Sequence, residues 1–205
     1  MTKSFLAWIV AVISATGYGG VAGLMALESA CLPLPSEIIM PFSGYLVSEG
    51  RFSLLLVATA GAVGCNIGST LAYLVGAHGG RAAVLRWGRY LLFDASELER
   101  LDRFFGRFGG AAVFIGRLLP VVRTFVSLPA GIAKMPMVRF QVYTFVGSWP
   151  WCFLLAYIGM ALGREWDRNP ALQSWFGRFQ GAVAAGLAVG FALYVYRRWR
   201  ASRQD

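Results

Sequence analysis

One histidine, His78, stands in 205 residues. Membrane phosphatases that use histidine both as nucleophile and as general acid need a partner for it, so chemistry of that kind is not expected and the chain reads as a non-enzyme. Cys31, Cys65 and Cys152 sit apart in apolar runs without metal-ligand spacing. They read as small buried residues, and neither a metal nor a cofactor is expected. Charge is scarce too, at 14% of residues against 57% hydrophobic. With a mean hydropathy of +0.58, that balance excludes an ordinary soluble domain and points to an integral membrane protein.

Four uncharged runs are present: Phe5 to Leu27, Phe52 to Ala77, Gln141 to Gly163 and Phe179 to Tyr196. Each is near the ~20 residues that cross about 30 Å of hydrocarbon. The first follows Lys3, as a signal peptide would, but it is too long for a signal core and is expected to be retained. The net charge of +9 comes from basic residues that flank these runs and form no nucleic-acid recognition motif. It therefore acts as an orientation signal and an attraction for anionic lipid. Arg197, Arg198, Arg200 and Arg203 place the C-terminus in the cytoplasm, as do the arginines between Gly79 and Phe108 for that segment. The Arg164 to Arg178 loop is then outside, and the first run starts inside, beside Lys3.

Two further segments carry charge and proline where apolar sequence surrounds them. One runs from Glu28 through Pro33, Pro35, Ser36, Glu37 and Pro41 to Gly44. The other runs from Gly116 and Arg117 through Pro120, Arg123, Thr124, Ser127 and Pro129 to Gly131. An ionised side chain at the bilayer centre costs about 2.5–3.5 kcal/mol, so four of them need a reason. Proline breaks a straight spanning helix, and broken backbone survives at membrane depth only where protein or water covers it. Pro33, Pro35, Pro41, Pro120 and Pro129 are thus the expected breaking points of two re-entrant hairpins that face one polar site.

The two halves are alike. Glu28 to Gly44 matches Arg117 to Gly131, Arg51-Phe52 matches Arg139-Phe140, and Leu71 to Gly76 matches Leu155 to Gly159. With the topology above, the hairpins enter from opposite faces. The expected fold is all-α and integral to the membrane, with about four transmembrane helices, two opposed re-entrant hairpins and an inverted repeat, a common transporter design. It forms a single membrane domain over 1–205. Its first repeat covers about 28–77, an amphipathic connector 78–108 and the second repeat about 109–163, followed by a C-terminal span at 179–196 and a basic tail. In the connector, Leu98, Leu101, Phe104, Phe105 and Phe108 recur at helical spacing behind a Ser96–Glu99 capping box. This helix lies either in the interface plane or against the protein's own surface. The pairs Gly19/Gly23, Gly64/Gly68, Gly159/Gly163 and Gly186/Gly190 support close helix approach and leave a homo-oligomer open. Pro150 should kink its span, and Asn66 reads as a helix-packing hydrogen bonder ahead of a lining group of the site.

These two charged segments, with Met135 to Phe140 and Gly147 followed by Trp151, resemble the DedA family over about 23–163. That family is the bacterial branch of the larger group sharing the VTT (SNARE-associated) domain. The resemblance implies a protein of the bacterial inner membrane that moves undecaprenyl phosphate, or a related phospholipid, from the outer to the inner leaflet. Carried over, the essential acids are Glu28 and Glu37 and the essential arginines Arg117 and Arg123. The Pro-Ser-Glu variant of the first segment differs from the Gly-Asp of other members, so proton coupling transfers less directly.

The chemistry of the residues fits such a role. Arginine offers a planar fork of donors suited to phosphate, and Thr124, Ser127 and Ser36 can add hydroxyls. Glu28 and Glu37 would repel an incoming phosphate unless protonated, which makes protons natural partners alongside the lipid. Two roles stay open for Arg117 and Arg123: gripping phosphate, or only pairing with Glu37 and Glu28. A proton- or cation-coupled exchanger of a small solute, or a non-transporting membrane organiser, would use the same residues.

Overall fold

The computed structural model describes residues 2–30, 32, 34–80, 95–119 and 122–163, together with positions 185 and 189. All secondary structure among them is helical. Pro33, Pro120, Cys31, most of the expected connector before residue 95, the span at 179–196 apart from positions 185 and 189, and the basic tail lie outside the described residues.

The first apolar run does not form one helix. It divides into α1 (Thr2–Thr16) and α2 (Tyr18–Ser29). Gly17 between them has φ 63 and ψ −137, a conformation open to glycine and strained for any residue with a Cβ. Hydropathy registers no break there, so the run reads as continuous, although Gly17, Gly19 and Gly20 are weak helix formers. The second half of the run instead becomes one arm of a helical pair. After the break at residues 30–35 comes α3 (Ser36–Ser48). Backbone N–H of Ser53, just beyond α3, donates to the Tyr18 hydroxyl at 2.8 Å, and the Tyr18 and Phe52 rings lie 4.7 Å apart. The two ends of the segment from 18 to 53 therefore lie side by side.

Pro41 does not end a helix, contrary to its expected role: it lies inside α3. An interior proline removes one backbone bond, and packing by a neighbouring helix can compensate. Here Gly159 seats directly on the Pro41 backbone. Pro35 is the N-cap of α3. Pro129 stands third in a short helix, where its missing N–H has no intrahelical partner to lose.

Among the described residues, two helices are long and apolar enough to cross a membrane: Leu54–Gly80, of 27 residues, and Met137–Leu162, of 26. The first comprises α4 (Leu54–Val75) and a π-helical turn at Gly76–Gly80. Between the two lie α5 (Ala95–Leu118), α6 (Val122–Phe125) and α7 (Ser127–Ile132). The stretch expected as a separate amphipathic helix ending at Phe108 is instead the first half of continuous α5. Gly109 and Gly110 do not interrupt it, because they let Met135 and the Tyr143 ring pack there. The second spanning helix is α8, which runs through Pro150 without interruption.

Large apolar side chains of α4 face outward, including Leu56, Val63, Ile67 and Leu71, and so do Val138, Val142, Val146 and Leu154 of α8. The buried face of α4 is small and mildly polar: Gly61, Ala62, Cys65, Gly68, Ser69 and Ala72. That is the pattern of a protein dissolved in lipid, where small residues bring backbones together and bulky ones meet acyl chains. Gly64 and Gly68 seat Ala22 and Ala26, so α2 runs parallel to α4. Trp149 reaches Thr59 and Gln141 reaches Thr70, so α4 and α8 are antiparallel. Gly110 lies under Tyr143, and Gly147 under Phe114 and Arg117, so α5 runs parallel to α8. Of the other small-residue pairs, a Cβ at Gly19 or Gly23 would meet nothing among the described residues, and Gly163 ends α8 with φ 54.

Candidate functional site

Two apolar clusters fill the interior. One gathers α1, α2, α3 and parts of α4 and α8 around Met25, Met40, Cys65 and Leu155. The other holds Tyr73, Val113, Val126 and Phe140. Along α4, Cys65 belongs to the first and Tyr73 to the second. Ser69 lies one turn from each, and the charged groups collect at its level.

Arg117 is in the last turn of α5 and only 2% exposed. Its Nη2 donates to Ser127 Oγ at 2.7 Å and to Ser69 Oγ. The Ser69 hydroxyl donates in turn to the Cys65 carbonyl. Helix α8 crosses at Gly147, where a Cβ would stand 2.8 Å from the Arg117 Cβ. Glycine at that point lets the backbone of α8 lie on the arginine stem.

Arg123 is 5% exposed and sits in α6, beyond the break that follows α5. Its Nη2 donates to Glu28 Oε1 in an ion pair and to Ser36 Oγ. Its guanidinium carbon lies 5.4 Å from the Trp151 ring centroid, a cation–π distance. Glu28 closes α2 and is 5% exposed; its second oxygen, Oε2, is buried with no hydrogen-bond partner among the described residues. Arg123 therefore ties the end of one helical arm (Glu28) to the start of the next (Ser36), from a chain position 95 residues away in sequence from the first.

The structure thus brings Arg123, Glu28 and Ser36 together at one point and Arg117 and Ser127 at another, with Ser69 and Trp151 as further contacts. Glu37 is half-buried in the first turn of α3, near enough to add to the field at Arg123. The hydrogen bonds described for Arg117 go to the hydroxyls of Ser69 and Ser127. Thr124 follows Arg123 in α6 and is half-buried. Pro35 and Pro129 flank the site at the starts of α3 and α7. Asn66 is half-buried, and its Oδ1 has no hydrogen-bond partner among the described residues.

Sequence reasoning passed over Ser69 and the indole of Trp151. Ser69 is one small residue in a small-residue helix, and nothing in its spacing points to Arg117. Trp151 adjoins Pro150, and the proline is the stronger local signal in that stretch.

The sequence matches the family described as VTT domain over residues 34–161. The chain belongs to this family, in its DedA branch. Among relatives, it is 36% identical over 164 residues to "Undecaprenyl phosphate transporter A" of Bacillus subtilis (strain 168), covering 80% of this chain and 81% of that protein. It is 34% identical over 198 residues to "Uncharacterized membrane protein YkoX" of the same organism, covering 97% and 86%. It is also 28% identical over 197 residues to an "Alkaline phosphatase-like protein" of Lactococcus lactis subsp. cremoris (strain MG1363), covering 93% and 92%. No solved structure matches. The VTT-domain match begins at Leu34, inside the first break, and so takes in Ser36, Ser69, both arginines and Trp151 but not Glu28.

Proposed function

We propose that this VTT-domain protein moves undecaprenyl phosphate, or a closely related phospholipid, from the outer to the inner leaflet of the bacterial inner membrane. The observation that carries this reading is the buried Arg123–Glu28 pair, which joins two helix breaks drawn from the two halves of the chain. The name of the Bacillus relative gives the lipid.

In this reading α2 and α3 form one re-entrant hairpin. The Tyr18–Ser53 hydrogen bond supports it, because it pins both ends of the pair to one level. At 12 residues α2 is about 18 Å long, short of a full crossing. The second hairpin is the end of α5 with α6 and α7. An inverted repeat is supported by matching contacts in the two halves. Gly44 of α3 seats on Ala156 of α8, and Gly131 of α7 seats on Tyr73 of α4. The parallel pairs α2–α4 and α5–α8 correspond, while α4 and α8 themselves run oppositely. Both termini are cytoplasmic in this arrangement, and the whole chain is one multi-pass membrane domain.

The resting site is closed by its own carboxylate. An arriving head group exchanges with it: phosphate oxygens take Arg123 and Arg117, and Ser36 and Ser127 add hydroxyl donors. Glu28 must then leave or accept a proton, which couples the step to protons, with Glu37 as a second carrier. The hydrocarbon chain stays in lipid while the anion follows the arginines, avoiding the cost of a bare phosphate in hydrocarbon. Transport without covalent chemistry fits the single histidine. The test is reconstitution in liposomes containing a labelled polyprenyl phosphate, read by a membrane-impermeant reagent. Protein-dependent exchange of label between leaflets is expected. No exchange above that of protein-free liposomes, with a proton gradient of either sign, would overturn the reading.

A further inference from the structure

We infer that Trp151 is a binding residue of this site, holding Arg123 by its ring face and offering its indole N–H to the anionic head group. The inference rests on the reading of the site as a phosphate-lipid site and adds a residue that reading does not need. Three observations carry it. The Arg123 guanidinium lies over the Trp151 ring, 5.4 Å from its centroid. The indole Nε1 is buried and has no hydrogen-bond partner among the described residues. Glu28, bound to the same guanidinium through Oε1, buries its other oxygen, Oε2, equally unpartnered.

A buried indole N–H normally finds an acceptor, and a buried carboxylate oxygen normally finds a donor. Leaving either unmet is destabilising, so two such atoms around one arginine mark a place kept for a third group. The Trp151 N–H can only donate. What it lacks is an acceptor beside a cation; a phosphate oxygen is such an acceptor, and it meets Glu28 Oε2 as well once that carboxyl is protonated and can donate. Trp151 reaches the place from α8, whereas Arg123 and Glu28 come from α6 and α2. Ser148, one turn earlier on α8, is buried on the same side. Ring and N–H separate two tasks: the face fixes the arginine plane, and the edge reads the ligand.

The experiment measures binding of farnesyl phosphate, a soluble short-chain phosphomonoester, to the purified full-length protein in detergent. Inorganic phosphate and farnesol serve as comparisons. Trp151→Phe keeps a ring over Arg123 and loses the N–H; it should weaken farnesyl phosphate binding about tenfold while unfolding at an unchanged temperature. Trp151→Leu loses both and should weaken it further. In wild-type protein labelled with 15N at the indoles, the Trp151 N–H resonance should shift on adding farnesyl phosphate and stay still with farnesol. That second readout needs no folded Trp151 variant, since the resonance can be assigned by substituting the other tryptophans in turn. Wild-type affinity retained by Trp151→Phe, or an unmoved Trp151 resonance while farnesyl phosphate binds, overturns the role of Trp151 and leaves the lipid reading standing. Inorganic phosphate bound as tightly as farnesyl phosphate, with the same loss in Trp151→Phe, keeps the indole donor and overturns the lipid. No binding of either probe to wild type overturns both.

Discussion

At the scale of single residues, the site is governed by the cost of buried charge. Arg123 and Glu28 are nearly inaccessible and hold each other. Removing one partner from a buried ion pair strands the other, at about 3–5 kcal/mol. Glu28→Gln and Arg123→Gln should therefore each lower the unfolding temperature in detergent. The double variant Glu28→Gln with Arg123→Gln should recover most of that loss, because no charge is left stranded. It should not recover transport. Equal destabilisation by the double variant and the sum of the singles would mean that the pair is not coupled. The importance of these residues was legible in the sequence, because charge in an apolar, proline-broken segment is too costly to keep unless a polar site surrounds it. Their partners were less legible. Which carboxylate faces which arginine depends on how two distant helix ends meet, and Ser69 and Trp151 enter only through that meeting.

At the scale of elements, small residues decide where helices touch and where they break. The spans of α4 and α8 were readable from uncharged length. The division of the first apolar run was not, because it depends on one glycine's dihedral angles and not on any change of hydropathy. Gly17→Ala should destabilise the protein by about 1–3 kcal/mol, since a Cβ is strained at φ 63 and ψ −137. Gly19→Ala, two positions on, meets nothing among the described residues and should be neutral or slightly stabilising. Gly44→Ala puts a methyl group into the Ala156 carbonyl and should cost about 1–3 kcal/mol or more. Thermal unfolding of the three variants in one detergent checks the ordering. A Gly19→Ala protein less stable than Gly44→Ala would contradict the packing described for α2 and α3. Pro41 teaches the converse lesson. Proline signals a break in isolated helices, but α3 continues through it where α8 packs closely on its backbone.

At the scale of the whole molecule, the proposed arrangement joins two similar halves around one charged centre, with bulky apolar side chains of α4 and α8 facing outward and small residues where α4 meets its neighbours. Hydropathy made the membrane class readable from sequence, and the recurring charge and proline positions suggested the two-part design. The reciprocal seating of Gly44 and Gly131 could not be read there, because it joins residues far apart in the chain. The proposed topology puts the arginines from 197 to 203 in the cytoplasm. A cysteine placed at Ser202 should resist a membrane-impermeant reagent in intact cells and react after permeabilisation. Labelling in intact cells would contradict the orientation. The central claim is that Arg117 and Arg123 grip a lipid phosphate and do more than neutralise carboxylates. Lysine keeps the charge and loses the planar fork, so the exchange separates the two roles. The most direct measurement is the leaflet-exchange rate of a labelled polyprenyl phosphate in liposomes carrying wild type, Arg117→Lys or Arg123→Lys at equal protein density. The account predicts a loss of about tenfold or more in each variant, with the fold intact. Near-wild-type exchange by both lysine variants would contradict it.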